Sequence, residues 1–164
     1  MRVLVAGVGN VLRGDDGFGV EVARRLRTID LGHDVRVVET GIGGIHLVQE
    51  MLEPADALIV IDAVDRGRPP GTVMVIEPEV ADVEAMPALE RFDFLADMHY
   101  TKPERALMLA KALKVLPPRF LLVGCQPEDA DRIGEGLSPS VRAAVDVAVE
   151  EVRRIVRDLQ GGDA

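Results

Sequence analysis

The sequence predicts an α/β fold of three layers: a mixed, mostly parallel sheet of about five strands with helices on both faces. Three observations carry that expectation. Continuous apolar runs recur at 3–6, 57–61 and 120–123, as strands buried on both faces require. Stretches with helical spacing separate them, so strands and helices alternate. One connection, at 66–71, is too short for a helical crossover, which makes the strand that follows it antiparallel. At 164 residues, and without an internal repeat or linker, residues 1–160 form a single domain and 161–164 a frayed tail.

The first strand, 3–6, leads into Gly7-Val8-Gly9-Asn10-Val11-Leu12-Arg13-Gly14-Asp15-Asp16-Gly17-Phe18-Gly19. Val20, Val22, Ala23 and Leu26 then recur at helical spacing, so the chain turns from strand to helix within this stretch. Gly7 and Gly9 allow close backbone approaches that a Cβ would block. Asp15 and Asp16 fall at or just before the first helical turn, where a carboxylate caps free N–H groups. One carboxylate suffices for that, so the second is spare. A dinucleotide loop is the obvious rival, but the residue three after Gly9 is Leu12, and two acids at the helix start would repel a pyrophosphate.

A second strand over 35–38 runs into Glu39-Thr40-Gly41-Ile42-Gly43-Gly44, followed by a helix over 45–52 that stops before Pro54. The third strand, 57–61, ends on Asp62, and 72–76 is the fourth. Residues 78–98 read as a loop with a helical turn or two. Thr101-Lys102-Pro103-Glu104 is a capping box that opens a helix reaching about 116, where Pro117 and Pro118 stop it. The fifth strand, 120–123, closes on Gly124-Cys125-Gln126-Pro127. Ser138-Pro139 starts a last helix striped by Val141, Val145, Val149, Val152, Ile155 and Leu159.

In a parallel sheet ligands gather beyond the carboxyl ends of the strands. Those ends carry 10–16, 40–44, Asp62 and Gly124-Cys125. A spare carboxylate from the first loop, Asp62 and His99 make a plausible three-ligand site for a borderline divalent metal such as nickel or zinc, open to water or substrate. His33 and His46 are weaker candidates. Ser138 and Ser140 are the only serines and sit at a helix start, with no nucleophile elbow. Cys125 with His99 is an alternative catalytic pair, against a small buried residue at a strand end. No H-E-x-x-H motif is present.

A net charge of −9 argues against nucleic acid or an anionic membrane as partner, and no apolar run approaches the roughly 20 residues of a membrane span. One cysteine and an N-terminus that enters a strand without a basic leader fit a cytoplasmic protein.

The pattern G-x-G-N-x-L-x-x-D-[DE]-G-x-G, matched throughout by 7–19, resembles the hydrogenase maturation proteases, which trim the C-terminal tail of the [NiFe] hydrogenase large subunit. The similarity continues through Leu58-Ile59-Val60-Ile61-Asp62-Ala63, Pro70-Gly71-Thr72, Leu122-Val123-Gly124 and Gly136-Leu137-Ser138-Pro139-Ser140-Val141. It implies a phosphorylase/hydrolase-like α/β fold. It also implies an endopeptidase that recognises nickel held by the precursor, with Asp16, Asp62 and His99 as the metal-contacting and catalytic residues and Asp15 as a structural partner that asparagine could replace. Asn10, Gly41, Ile42, Gly43 and Gly44 would form the loops that meet the substrate. The implied partner is the large-subunit precursor, met by a monomer that holds no tightly bound metal of its own. A non-catalytic docking factor for the nickel-loaded precursor is the alternative. Asp16 stands where glutamate is common, Gly41-Ile42-Gly43-Gly44 replaces a G-G-T-x-G loop, and Tyr100-Thr101-Lys102-Pro103-Glu104 follows His99 in place of a Gly-Leu helix entry.

Overall fold

Residue alternation along the first strand explains the architecture. In β1 (Val3–Val8) every residue is buried, yet Val3 and Val5 belong to one core while Leu4, Ala6 and Val8 belong to another. A strand with two hydrophobic faces needs a cover on each, and helices supply both. The computed structural model describes residues 1–96 and 103–161. It contains α1 (Phe18–Leu26), β2 (Val35–Gly41), α2 (Gly44–Met51), β3 (Ala57–Ala63), β4 (Val73–Ile76), α3 (Ala88–Ala96), α4 (Pro103–Ala112), β5 (Arg119–Cys125) and α5 (Pro139–Gly161).

The five strands lie in the order β2-β1-β3-β5-β4. β1 pairs in parallel with β2 and β3, and β3 in parallel with β5; β4 alone is antiparallel. The expected three-layer mixed sheet is what forms. One core joins α1 and α5 to Val3, Val5, Ile59, Ile61 and Val123. The other joins α2 and α4 to Leu4, Ala6, Leu58 and Val60. The antiparallel strand does not pair with β3, its predecessor in sequence, because β5 occupies that edge. Its partner is β5, with Val73 opposite Cys125.

Two stretches depart from expectation. Residues 78–96 hold a 3-10 turn at Val83–Ala85 and the nine-residue α3, more helix than the loop with a helical turn or two expected for 78–98, of which 97–98 lie outside the described residues. Burial against Met108 and Leu109 stabilises Val83 and Phe94 there, a tertiary gain that the mixed local sequence does not announce. The helix expected to reach 116 ends at Ala112. Lys114 takes φ 60°, and the N–H groups of Val115 and Leu116 both return to Ala110 O, a left-handed stop that precedes the two prolines. α4 opens on Pro103 as expected, while Thr101 of the capping box lies outside the described residues. The last helix keeps its stripe, with Val141, Val145, Val149, Val152, Ile155 and Leu159 all buried, and runs through Gly161. No helix among the described residues is long and apolar enough to cross a membrane.

Candidate active site

The parallel strands deliver the loops at 9–17, 41–44, 62–71 and 124–138 to one edge of the sheet. The first is folded back on itself. Gly9 has φ 139°, and a Cβ there would stand 1.9 Å from Asp16 O. Gly19 lies so close to the sheet that a Cβ would meet Ile61 O at 2.1 Å and Val8 O at 2.4 Å. Asn10 pins the turn: its Oδ1 accepts from the Leu12 N–H at 2.9 Å, and its own N–H donates to Asp16 Oδ2 at 3.0 Å. Asp15 and Asp16 both sit in a 3-10 turn, Gly14–Gly17, ahead of α1.

The two adjacent aspartates do different work. Asp15 is 1% exposed and does not cap α1, whose N-cap is Gly17 with no side-chain hydrogen bond. That corrects the capping role expected for it. Its Oδ1 accepts from Ser138 N at 2.7 Å. Its Oδ2 accepts from Glu128 N, Asp129 N and Ser138 Oγ at 2.9, 3.0 and 2.8 Å. Burial alone would push this carboxyl up, but the bonds from Asp129, Ser138 and Glu128 outweigh it and hold the group below its usual range. All four interactions are with donors, so asparagine is no equivalent, since its NH₂ would face an N–H or O–H donor.

Asp16 sits half-buried, with one oxygen on the Asn10 N–H. Asp62 occupies the end of β3, in register with Gly124 of β5. Its carboxyl is pushed up to about 8, first by burial and then by the negative charge of Asp16; a bond from the Ala63 N–H opposes this, and the charge of Glu104 adds the least. Asp16 therefore lies near enough to Asp62 for its negative charge to act on it. Glu104, from the first turn of α4, adds a weaker repulsion on Asp62. In the sequence it reads only as the acid of a capping box; its place at a helix start following His99 was the available sign of more. His99 lies outside the described residues. Among the described residues, no three His, Cys, Asp or Glu side chains come together as a metal-holding group.

The remaining candidates divide between two cavities. Asn10, Gly41 and Ile42 line one of about 340 Å³, with Thr40, Glu39 and His46. Gly41 has φ 58°, which only glycine adopts readily. Gly43 and Gly44 instead cap and start α2. His46 bonds Glu50 at 3.2 Å. Asp62 opens onto a second cavity, of about 370 Å³, with Arg66, Glu104 and an apolar lining. A larger cavity of about 580 Å³ lies between the 3-10 turn, α1 and α5 and contains neither Asp16 nor Asp62.

Cys125 is fully buried, and burial followed by the charge of Asp15 pushes its thiol up to about 11, so it is no thiolate nucleophile at neutral pH. Ser138 has its hydroxyl committed to Asp15. Gln126, which belongs to no motif in the sequence, is buried at 6% exposure. Its Oε1 accepts from the N–H groups of Arg66 and Arg68 at 2.7 and 3.2 Å, and its Nε2 donates to Asp65 Oδ1 at 2.9 Å. A glutamine just past a buried strand was the only hint of this role in holding the loop after Asp62.

A family model described as hydrogenase maturation protease matches residues 20–155. The hydrogenase expression/formation protein HupD of Rhodobacter capsulatus is 38% identical over 157 residues, 95% of this chain and 71% of that protein. The hydrogenase expression/formation protein HoxM of Cupriavidus necator is 34% identical over 97% of this chain and 76% of its own. Among solved structures, the hydrogenase maturating endopeptidase HybD from E. coli superposes with a TM-score of 0.74 at 30% identity, covering 96% of this chain and 93% of that one.

Proposed function

The chain belongs to the hydrogenase maturation protease family and is a peptidase; from that premise we propose that it removes the C-terminal extension of a [NiFe] hydrogenase large-subunit precursor after nickel insertion. The reaction is hydrolysis: water adds to the peptide carbonyl, the C–N bond breaks, and a carboxylate and an amine leave. Nickel arrives as part of the substrate. Asp16 and Asp62 offer it oxygen donors and His99 a nitrogen donor, and engagement of the metal aligns the tail along the sheet edge.

The observation that carries this reading is the convergence of Asp16 and Asp62, with Glu104 behind them. Burial first, and then the negative charge of Asp16, hold a proton on Asp62 near neutral pH. A divalent cation presented from outside reverses that cost, because it favours both carboxylates and releases the proton. Three protein ligands leave coordination positions for the precursor's own groups. The reading of a non-catalytic docking factor gives way to family membership, since its solved relatives are endopeptidases.

The test is incubation of the purified protein with nickel-loaded and nickel-free precursor, followed by intact-mass spectrometry. A mass loss equal to a C-terminal peptide, confined to the nickel-loaded form, is expected. An unchanged mass with the loaded precursor overturns the assignment.

A further inference from the structure

The cavity beside Asp62 has a layered lining. Val60 and Leu107 are buried and form its floor, and Met108, Phe120 and Leu122 are partly buried around them. Arg66, Glu79 and Glu104 are exposed and form its rim. Its volume, about 370 Å³, is enough for one large side chain and too small for a folded element. The walls come from β3, β5, the first two turns of α4 and the 78–81 segment that follows β4. Gln126 fixes the N–H groups of Arg66 and Arg68, so the loop bearing the rim arginine is held as well.

Apolar surface around an opening is costly to leave in water, and a pocket of this shape is filled by apolar groups. What can fill it follows from position. Asp62 is both a lining residue and a member of the acidic pair, so a peptide engaged at the pair passes over the mouth. Lysine or arginine would find carboxylates only at the rim, with its head group above an apolar floor. We infer that this cavity is a specificity pocket that receives a large apolar side chain of the substrate next to the scissile bond. The inference rests on the function proposed above. Val60, Leu107, Met108, Phe120 and Leu122 read the side chain, and the charged rim passes the main chain.

Two experiments test it, one without turnover. In the first, isotope-labelled protein is titrated with a short synthetic peptide spanning the cut, carrying Leu, Ala or Asp beside the bond, and methyl NMR is recorded. Shifts at Leu107, Met108 and Leu122 with the Leu peptide, absent with the Asp peptide, are expected. In the second, nickel-loaded precursors with the same three residues are processed by wild-type protein and by the Met108→Phe and Met108→Ala variants, after melting curves show that both fold. Wild type should prefer Leu over Asp by about 10- to 100-fold in kcat/KM. Met108→Phe, which fills the cavity, should lose most of its rate on Leu and little on Ala. Met108→Ala should shift the preference toward larger side chains. Cleavage that ignores the side chain overturns the pocket and leaves the function standing. Methyl shifts without cleavage support the pocket and overturn the function. Neither shifts nor cleavage overturns both.

Discussion

Asp15 and Asp62 are carboxylates in one edge of one sheet, and their surroundings differ in the quantity that matters, the supply of donors. Asp15 is enclosed by four, three of them backbone N–H groups, and stays ionised below its usual range. Asp62 is held at a strand end against two other acids and keeps its proton up to about 8. A satisfied buried carboxylate is a piece of architecture. One placed at a cost, with only the Ala63 N–H to offset it, is reserved for something that arrives later.

Removing the reserved pair should have the largest effect. Asp16→Asn keeps its shape and loses its charge, and Asp62→Asn keeps its shape and loses the ability to ionise onto a cation, so each should cut processing of nickel-loaded precursor more than 100-fold in a timed mass-spectrometric assay, with folding intact. Full activity in either variant would break the comparison at its functional end. Asp15→Asn should break it at the structural end. Donors facing an amide NH₂ lose their acceptor, and denaturant unfolding should report a loss of about 2–4 kcal/mol.

The pH dependence sharpens the contrast, because the two groups act in opposite directions. Asp15 has a depressed folded value, so its contribution is present above 3.8 and lost as pH falls through the lower folded value. Asp62 has a raised folded value, so its own destabilising contribution is absent below 3.8 and grows as pH rises toward 8. Asp62→Asn escapes that contribution. Its stability relative to wild type should therefore grow steadily between pH 4 and 8. A difference that stays flat across that range would show that Asp62 is not raised. The smallest effect is expected at Cys125, which lies between the two regions. Cys125→Ser should retain processing within about twofold, since its buried thiol is protonated at neutral pH.

The sequence made the layered sheet legible because its runs are continuous where two faces are buried and periodic where one is, as in Ala57–Ala63 against α5. It placed Asp16 and Asp62 on one edge because parallel strands put their carboxyl ends together. What it hid depends on tertiary partners. The donors of Asp15 lie 113 to 123 residues away, so a local reading assigned it to the nearest helix start. Glu104 looked occupied by its own helix. Phe94 and Val83 find Met108 and Leu109 only once α4 is packed. Gln126 carries no motif, and only the path of 64–72 across the end of β5 shows why it is buried.

The reach of Asp15 also has a consequence for the order in which the molecule is made. Its partners Glu128, Asp129 and Ser138 follow the fifth strand, so a nascent chain emerging from the ribosome can pair β1, β2 and β3 long before this carboxylate finds an acceptor's role. Until then it must stay hydrated, and the turn carrying Asp16 stays open with it. Assembly of the acidic edge is thereby tied to the last third of the translated sequence. Pulse-labelled hydrogen exchange during refolding should find the amides of Glu128, Asp129 and Ser138 gaining protection in the same late phase as α5, after the central strands.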